Sequence, residues 1–236
     1  MLVVGFDTAT PAVSVALHDG ERVVSEAFTA DGRRHGELLA PMIAKVLADA
    51  GASRAALTAV AVGVGPGPYT GLRVGVVTAR VLGAVLGIPV HGVCSLDVIA
   101  AATSLATAPG REFLVATDAR RKEVYWARYD ATSRRLEGPG VGSAYSIAGA
   151  PELPVAGAGG QLYPEAFGEV IGPAYPDART LSAIVAGQLG AQAVPSPTVP
   201  CPAMPMLTVP LLAADPLYLR RPDAREPGPP KRVTPS

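Results

Sequence analysis

Apolar and polar positions divide the chain into short strands and amphipathic helices. Residues 1–8 form an apolar, β-branched run, and residues 13–17 alternate around Ser14 and Ala16. Residues 22–28 follow Asp19-Gly20, a dipeptide suited to hairpin turns, so a three-stranded meander is predicted. Between residues 37 and 49 the period becomes helical. Leu38, Leu39, Met42, Ile43, Val46 and Leu47 fall on one wide stripe, Gly51 closes it, and Pro41 predicts an irregular first turn. Residues 58–64 then read as a buried strand. The loop Gly65-Pro66-Gly67-Pro68 leads into a helix over about 70–86, stopped by Gly87 and Pro89. A strand over 88–93 and a helix over 97–102, capped by Ser95, complete this half.

The pattern restarts after Pro109-Gly110. Residues 113–117 and 123–129 read as paired strands around a charged turn, Asp118 to Lys122. A glycine-rich segment (Gly138, Gly140, Gly142), a short strand near 154–157, a turn at Gly159-Gly160 and a helix over 181–189 follow. The order predicts an α/β fold of two related lobes, 1–108 and 109–221, with a disordered tail over 222–236.

Composition narrows the function. The chain has 236 residues, enough for a large core, and its 20 basic and 20 acidic side chains cancel. A protein gripping nucleic acid alone needs excess Lys and Arg, so no such grip is expected. Cys94 and Cys201 lack metal-ligand spacing and suit a reducing compartment, and nothing near Met1 reads as an export signal. The longest uncharged span, 180–214, is broken by prolines and predicts no membrane helix.

Several constellations could carry chemistry. The loop Gly65 to Gly71 presents a helix N-terminus suited to phosphate, or is a tight structural turn; it matches neither the Walker nor the Rossmann spacing. Asp7, followed by Thr8 and Thr10, could hold magnesium through water, act as a base, or close an Asx turn. The turn at Asp118, Arg120, Arg121, Lys122 and Glu123 reads by default as a solvated hairpin. Gly71, Gly75, Ala79 and Gly83 recur every four residues, a bare ridge for close packing by the chain's own sheet or by another helix, and Arg73 and Arg80 share a different face. The Leu38 to Leu47 stripe, about 10 kcal/mol gross if fully buried, serves either a core or an interface. His35 has no second histidine at i+4 and reads as a surface or capping residue.

Five strings appear together and in order. They are Gly5-Phe6-Asp7-Thr8-Ala9-Thr10, Arg34-His35-Gly36-Glu37-Leu38-Leu39, Gly65-Pro66-Gly67-Pro68-Tyr69-Thr70-Gly71-Leu72-Arg73-Val74-Gly75, Asp118-Ala119-Arg120-Arg121-Lys122-Glu123 and Pro216-Leu217-Tyr218-Leu219-Arg220. With them the chain resembles the TsaB (YeaZ) family from Met1 to about Arg220, departing in the proline-rich stretch 190–210.

The resemblance implies an actin-like ATPase (ASKHA, ribonuclease H-like) two-lobed fold. It also implies a cytoplasmic, non-catalytic subunit of the machinery that places N6-threonylcarbamoyl on adenosine 37 of tRNA. The catalytic paralogue, TsaD, binds its metal through two histidines; Gly92 and Leu96 stand at those positions here, so no metal site is expected. The implied partners are TsaD, TsaE and, through the complex, tRNA, with a homodimer on the same surface when the chain is alone. The helices near Glu37 and Thr70 would form that surface, with Leu39, Met42, Ile43, Val46, Arg73, Val77, Arg80 and Val81 as contacts. Asp7, Gly65, Gly67, Thr70 and Gly71 would be a vestigial nucleotide site, with no tightly bound cofactor and with ATP and magnesium only in the assembled complex. A free-standing ATP-dependent phosphotransferase is the alternative reading, and a metallopeptidase, which needs the missing histidines, a third. Any tRNA contact by this chain is expected from the basic tail: Arg220, Arg221, Arg225, Lys231 and Arg232.

Overall fold

The computed structural model describes residues 1–31, 34–107, 110–193 and 209–220. The tail 222–236, Cys201, Pro109 and the part of the proline-rich stretch over 194–208 lie outside them.

Strands β1 (Val3–Asp7), β2 (Val13–His18) and β3 (Val23–Thr29) form the meander. Helix α1 (His35–Asp49) then crosses to β4 (Ala59–Gly63), and α2 (Tyr69–Leu86) crosses to β5 (Val90–Val93). The sheet order is β3-β2-β1-β4-β5, antiparallel in the meander and parallel from β1 to β5. Every residue of β1, β2 and β4 is buried, as a sheet covered on both faces requires. Val4 and Phe6 face α1 and α2, while Val3, Ala59 and Ala61 face the layer of α3 (Ser95–Thr107) and α5 (Ala178–Ala193).

The second sheet orders β8 (Arg135–Ser143), β7 (Glu123–Tyr129), β6 (Phe113–Asp118) and β9 (Val155–Ala156). One face is covered by Leu96, Ile99 and Ala100 of α3; the other packs on Ala144, Ile147 and Phe167, and α4 (Ala158–Leu162) lies against β6. Because α3 also packs Val98 and Ala101 on the first sheet, it is apolar nearly all round and sits between the two sheets. Helix α5 follows the second sheet in the chain but packs on β1 and β2 of the first.

One polar cluster is buried at the α3 junction. The Tyr129 hydroxyl donates to Asp97 Oδ1 at 2.7 Å, and the Arg135 guanidinium lies 3.6 Å from Asp97 Oδ2. Burial pushes the Asp97 carboxyl up, and Arg135 opposes that shift. Burial also pushes the neighbouring Cys94 thiol up to about 12, which leaves it unreactive.

The glycine ridge of α2 finds its neighbour within the chain. A Cβ on Gly71 would lie 2.6 Å from the Thr8 carbonyl, one on Gly75 2.5 Å from Thr8 Oγ1, and one on Gly83 2.3 Å from Val90 Cγ2. Helix α2 is long and apolar enough to cross a membrane by length and composition, but this ridge is packed on the sheet. Gly83→Ala should therefore cost about 1–3 kcal/mol despite alanine's better helix propensity. Gly187→Ala, in α5 with open space around it, should stabilise by about 0.5–1 kcal/mol. Urea unfolding midpoints at unchanged slope would check the pair; equal effects would contradict the packing.

Candidate functional site

The ends of β1 and β4, the glycine loop and the start of α3 meet at Asp7. Its Oδ1 accepts the Ala9 N–H at 2.7 Å, closing an Asx turn, and its Oδ2 accepts the Ser95 hydroxyl at 2.5 Å. Ser95 Oγ in turn accepts the Gly65 N–H at 3.2 Å, so one serine ties the carboxylate to the loop. A Cβ at Gly63 would come within 1.7 Å of Asp7 Oδ2, and Asp7 is 1% exposed. The loop lies directly on residues 8–9: a Cβ on Gly67 would sit 2.0 Å from the Ala9 carbonyl, and the Thr8 hydroxyl donates to the Gly71 carbonyl at 2.8 Å.

The structure thus brings Asp7, Gly65, Gly67, Thr70 and Gly71 together, but only Thr70 and Gly71 border open space. They line a cavity of about 290 Å³ with Thr8, Thr10, Pro11, His35, Pro68 and Arg120. His35 acts as a clasp, its Nε2–H donating to the Thr10 carbonyl at 2.7 Å. Among the described residues no group of three or more His, Cys, Asp or Glu could hold a metal. Gly92 and Leu96 are filled from inside the chain. The N–H of each of Gly92 and Leu212 donates to the other's carbonyl at 2.8 Å, and a Cβ on Gly92 would lie 2.5 Å from the Ala213 carbonyl. Leu96 is fully buried against the second sheet.

The expected contact surface needs correcting. Leu39, Ile43 and Val46 are buried in the chain's own core, because only the centre of the α1 stripe points at the sheet; they are not free to meet a partner. Met42 is partly buried beside them, and Arg73, Val77, Arg80 and Val81 are exposed. Two residues out of phase with the buried glycines, Tyr69, Arg73, Val77, Val81 and Val85 form a ridge in solvent, with the three valines 53%, 55% and 77% exposed. Continuing the four-residue step from Arg73 and Val77 reaches Tyr69 and Val85, which the expected contacts do not include.

A strap over residues 209–220 finishes this face. Asp215 pairs with Arg80, and Tyr218 stacks on Tyr69 at 5.1 Å between ring centres. The Arg73 guanidinium lies 4.9 Å from the Tyr69 ring centre and donates to its hydroxyl at 2.7 Å. Beyond Tyr218, Arg220 donates to the Ala119 carbonyl at 2.7 Å and pairs with Glu123, gripping the β6–β7 turn.

Comparison with known proteins places these features in a family. The family model described as TsaD, tRNA N6-adenosine threonylcarbamoyltransferase, matches residues 23–157. An uncharacterised protein of Mycobacterium tuberculosis is 42% identical over 94% of this chain and 93% of its own length. The tRNA threonylcarbamoyladenosine biosynthesis protein TsaB of Escherichia coli is 38% identical over 55% of each chain. Among solved structures, YeaZ from Pseudomonas aeruginosa is 28% identical with a TM-score of 0.68, over 81% of this chain and 93% of that one. An uncharacterised Pseudomonas aeruginosa protein, with similarity to peptidase YeaZ, reaches 0.72 at 26% identity, over 93% and 99%. The α/β fold expected from the sequence is the fold found, and these two structures share it.

The state of Asp7 is open to measurement without any ligand. Burial raises its pKa from 3.8 to about 6, against the opposing bonds from Ser95 and Ala9. Folding is therefore favoured by this group when both states are protonated, and that advantage is lost as pH rises from about 4 through about 6, by about 2–3 kcal/mol. Asp7→Asn keeps an acceptor for Ala9 and carries no charge. It should match the parent near pH 4 and exceed its stability by about that amount at pH 7, in urea unfolding across pH. Parallel stability curves would contradict the burial of an ionised Asp7.

Proposed function

Because the chain belongs to the TsaB (YeaZ) family, we propose that it is the non-catalytic activating subunit of the tRNA N6-threonylcarbamoyladenosine transferase, docking TsaD through α2 and joining TsaE in the assembled complex. The observation that carries the reading is the solvent-facing ridge Tyr69, Arg73, Val77, Val81 and Val85, set opposite a glycine ridge committed to the chain's own sheet. Burying the three valines would contribute about 5 kcal/mol gross, part of which offsets the cost of association. Arg80 and Asp215, being exposed, add orientation more than affinity. With TsaD absent, the same ridge serves a homodimer.

The catalytic work belongs to TsaD in this reading. Gly92 and Leu96 offer no ligand atom, and Asp7, closed in by Ser95, Ala9 and Gly63, has no open side for magnesium or for a substrate hydroxyl. ATP and magnesium act elsewhere in the cytoplasmic assembly, and tRNA is held chiefly by the other subunits.

Val77→Glu and Val81→Glu should each abolish copurification with TsaD while leaving the melting temperature within a few degrees, since both side chains point into solvent. Ile43→Glu, in the core, should instead unfold the chain. The purified chain alone should transfer no threonylcarbamoyl. Added to TsaD, TsaE, tRNA, ATP and the threonylcarbamoyl-adenylate source, it should raise the rate. Retained copurification in both valine variants, or no stimulation, would overturn the assignment.

A further inference from the structure

The β6–β7 turn holds an uncommon backbone conformation. Arg120, Arg121 and Lys122 stand in succession at φ 63°, 54° and 62°, a left-handed run with no glycine or asparagine in it. Such a conformation costs about 1–2 kcal/mol per residue for ordinary side chains, and sequence could relieve it cheaply. All three side chains are exposed.

The carboxylates beside the turn are directed into its frame. Asp118 Oδ1 accepts the Arg120 N–H at 2.7 Å, and its other oxygen lies 3.3 Å from the Arg120 guanidinium. Glu123 is paired with Arg220 from the strap, and the Glu123 N–H donates to the Arg120 carbonyl at 3.0 Å. The result is a braced, exposed apex whose four basic side chains, Arg120, Arg121, Lys122 and Arg220, outnumber its two acidic ones, Asp118 and Glu123. Two tyrosines share this end of the sheet. Glu123 pairs across the sheet with Ser143, two residues before Tyr145. Tyr145 is 66% exposed, and its ring stands at a steep angle to that of Tyr163 with 6.5 Å between ring centres.

We propose that this turn and the tyrosines beside it are an RNA-contact surface of the chain: Arg120 and Lys122 take backbone phosphates, and Tyr145 takes an unstacked base. Basic side chains on a fixed backbone next to an exposed aromatic face are what single-stranded RNA segments bind. The choice of RNA rests on the reading of this chain as part of a tRNA-modifying assembly, and a neutral chain suits an auxiliary contact.

The test is tRNA affinity by fluorescence anisotropy across a salt series, for the full chain alone and for the chain copurified with TsaD. Arg120→Glu with Lys122→Glu should weaken binding about ten-fold at low salt and make the log affinity against log salt line shallower by about 2. The milder pair Arg120→Gln with Lys122→Gln should move both in the same direction and guards against misfolding. Tyr145→Ala should weaken binding five-fold or more with the slope unchanged. Unchanged affinity and slope in both preparations, or no binding by either at low salt, would overturn the proposal. Competition by polyglutamate with no response to Tyr145→Ala would overturn it in favour of an acidic protein partner. Loss of copurification with TsaD would instead count against the scaffold reading, while the isolated chain still reports on the RNA surface.

Discussion

Everything on the face of the first sheet follows from how close α2 comes to it. With no Cβ at positions 71, 75 and 83, the helix backbone rests on Thr8 and Val90 at distances no side chain could share. That contact sets the depth of the helix, and the depth sets what remains outside. On a helix of 3.6 residues per turn, residues two apart point in nearly opposite directions. A ridge at 71, 75, 79 and 83 turned inward therefore forces the ridge at 69, 73, 77, 81 and 85 outward. Apolar side chains on that outer ridge are the geometric remainder of the packing, and they need a partner for reasons that the packing itself creates.

The same close approach explains the chemistry of the cleft. Pressing the glycine loop onto residues 8–9 brings Gly63 and Ser95 around Asp7, and a carboxylate in that position serves the loop through Ser95 before it can serve a ligand. Its two hydrogen bonds offset part of the burial cost, yet the pKa still rises, so desolvation outweighs them. A group in that balance is a structural acid. Gly92 tells a parallel story on the other edge: its missing side chain makes room for the strap's backbone, which pairs there as an added antiparallel bridge.

Much of this was legible in the pattern of residues, and the failures have physical causes. Strands β1, β2 and β4 and helices α1 and α2 announce themselves because each has a single dominant environment. Strand β8 does not. Read as a glycine-rich segment, it lies on the sheet edge, pairs through its backbone with β7 and buries little, so no alternation marks it. The α1 stripe was seen but not divided: six apolar residues span more of the helix than the sheet can cover, and only the structure shows Leu39, Ile43 and Val46 taking the core while Met42 stays at its edge. The roles of Asp215, Tyr218 and Arg220 were hidden for another reason. Their partners are more than 90 residues away, and no local period encodes such pairings.

Those three residues connect what would otherwise be separate features. The strap binds the edge of β5 through Leu212, lays Asp215 and Tyr218 against the outer side of α2, and ends with Arg220 on the β6–β7 turn. Its apolar residues enter the cores of both sheets: Leu211 and Leu212 join the first, and Leu212 and Leu217 the second. A body seated on the valine ridge would thus press against Tyr218, two residues from the arginine that steadies the basic turn. Continuity of this kind does not by itself make a switch, which would need a second stable arrangement of the strap. What it supplies is position. The strap holds the outer ridge of α2 and the basic apex of the second sheet in one fixed relation, so a partner docked on the first would meet the second at a distance set by a dozen residues of backbone.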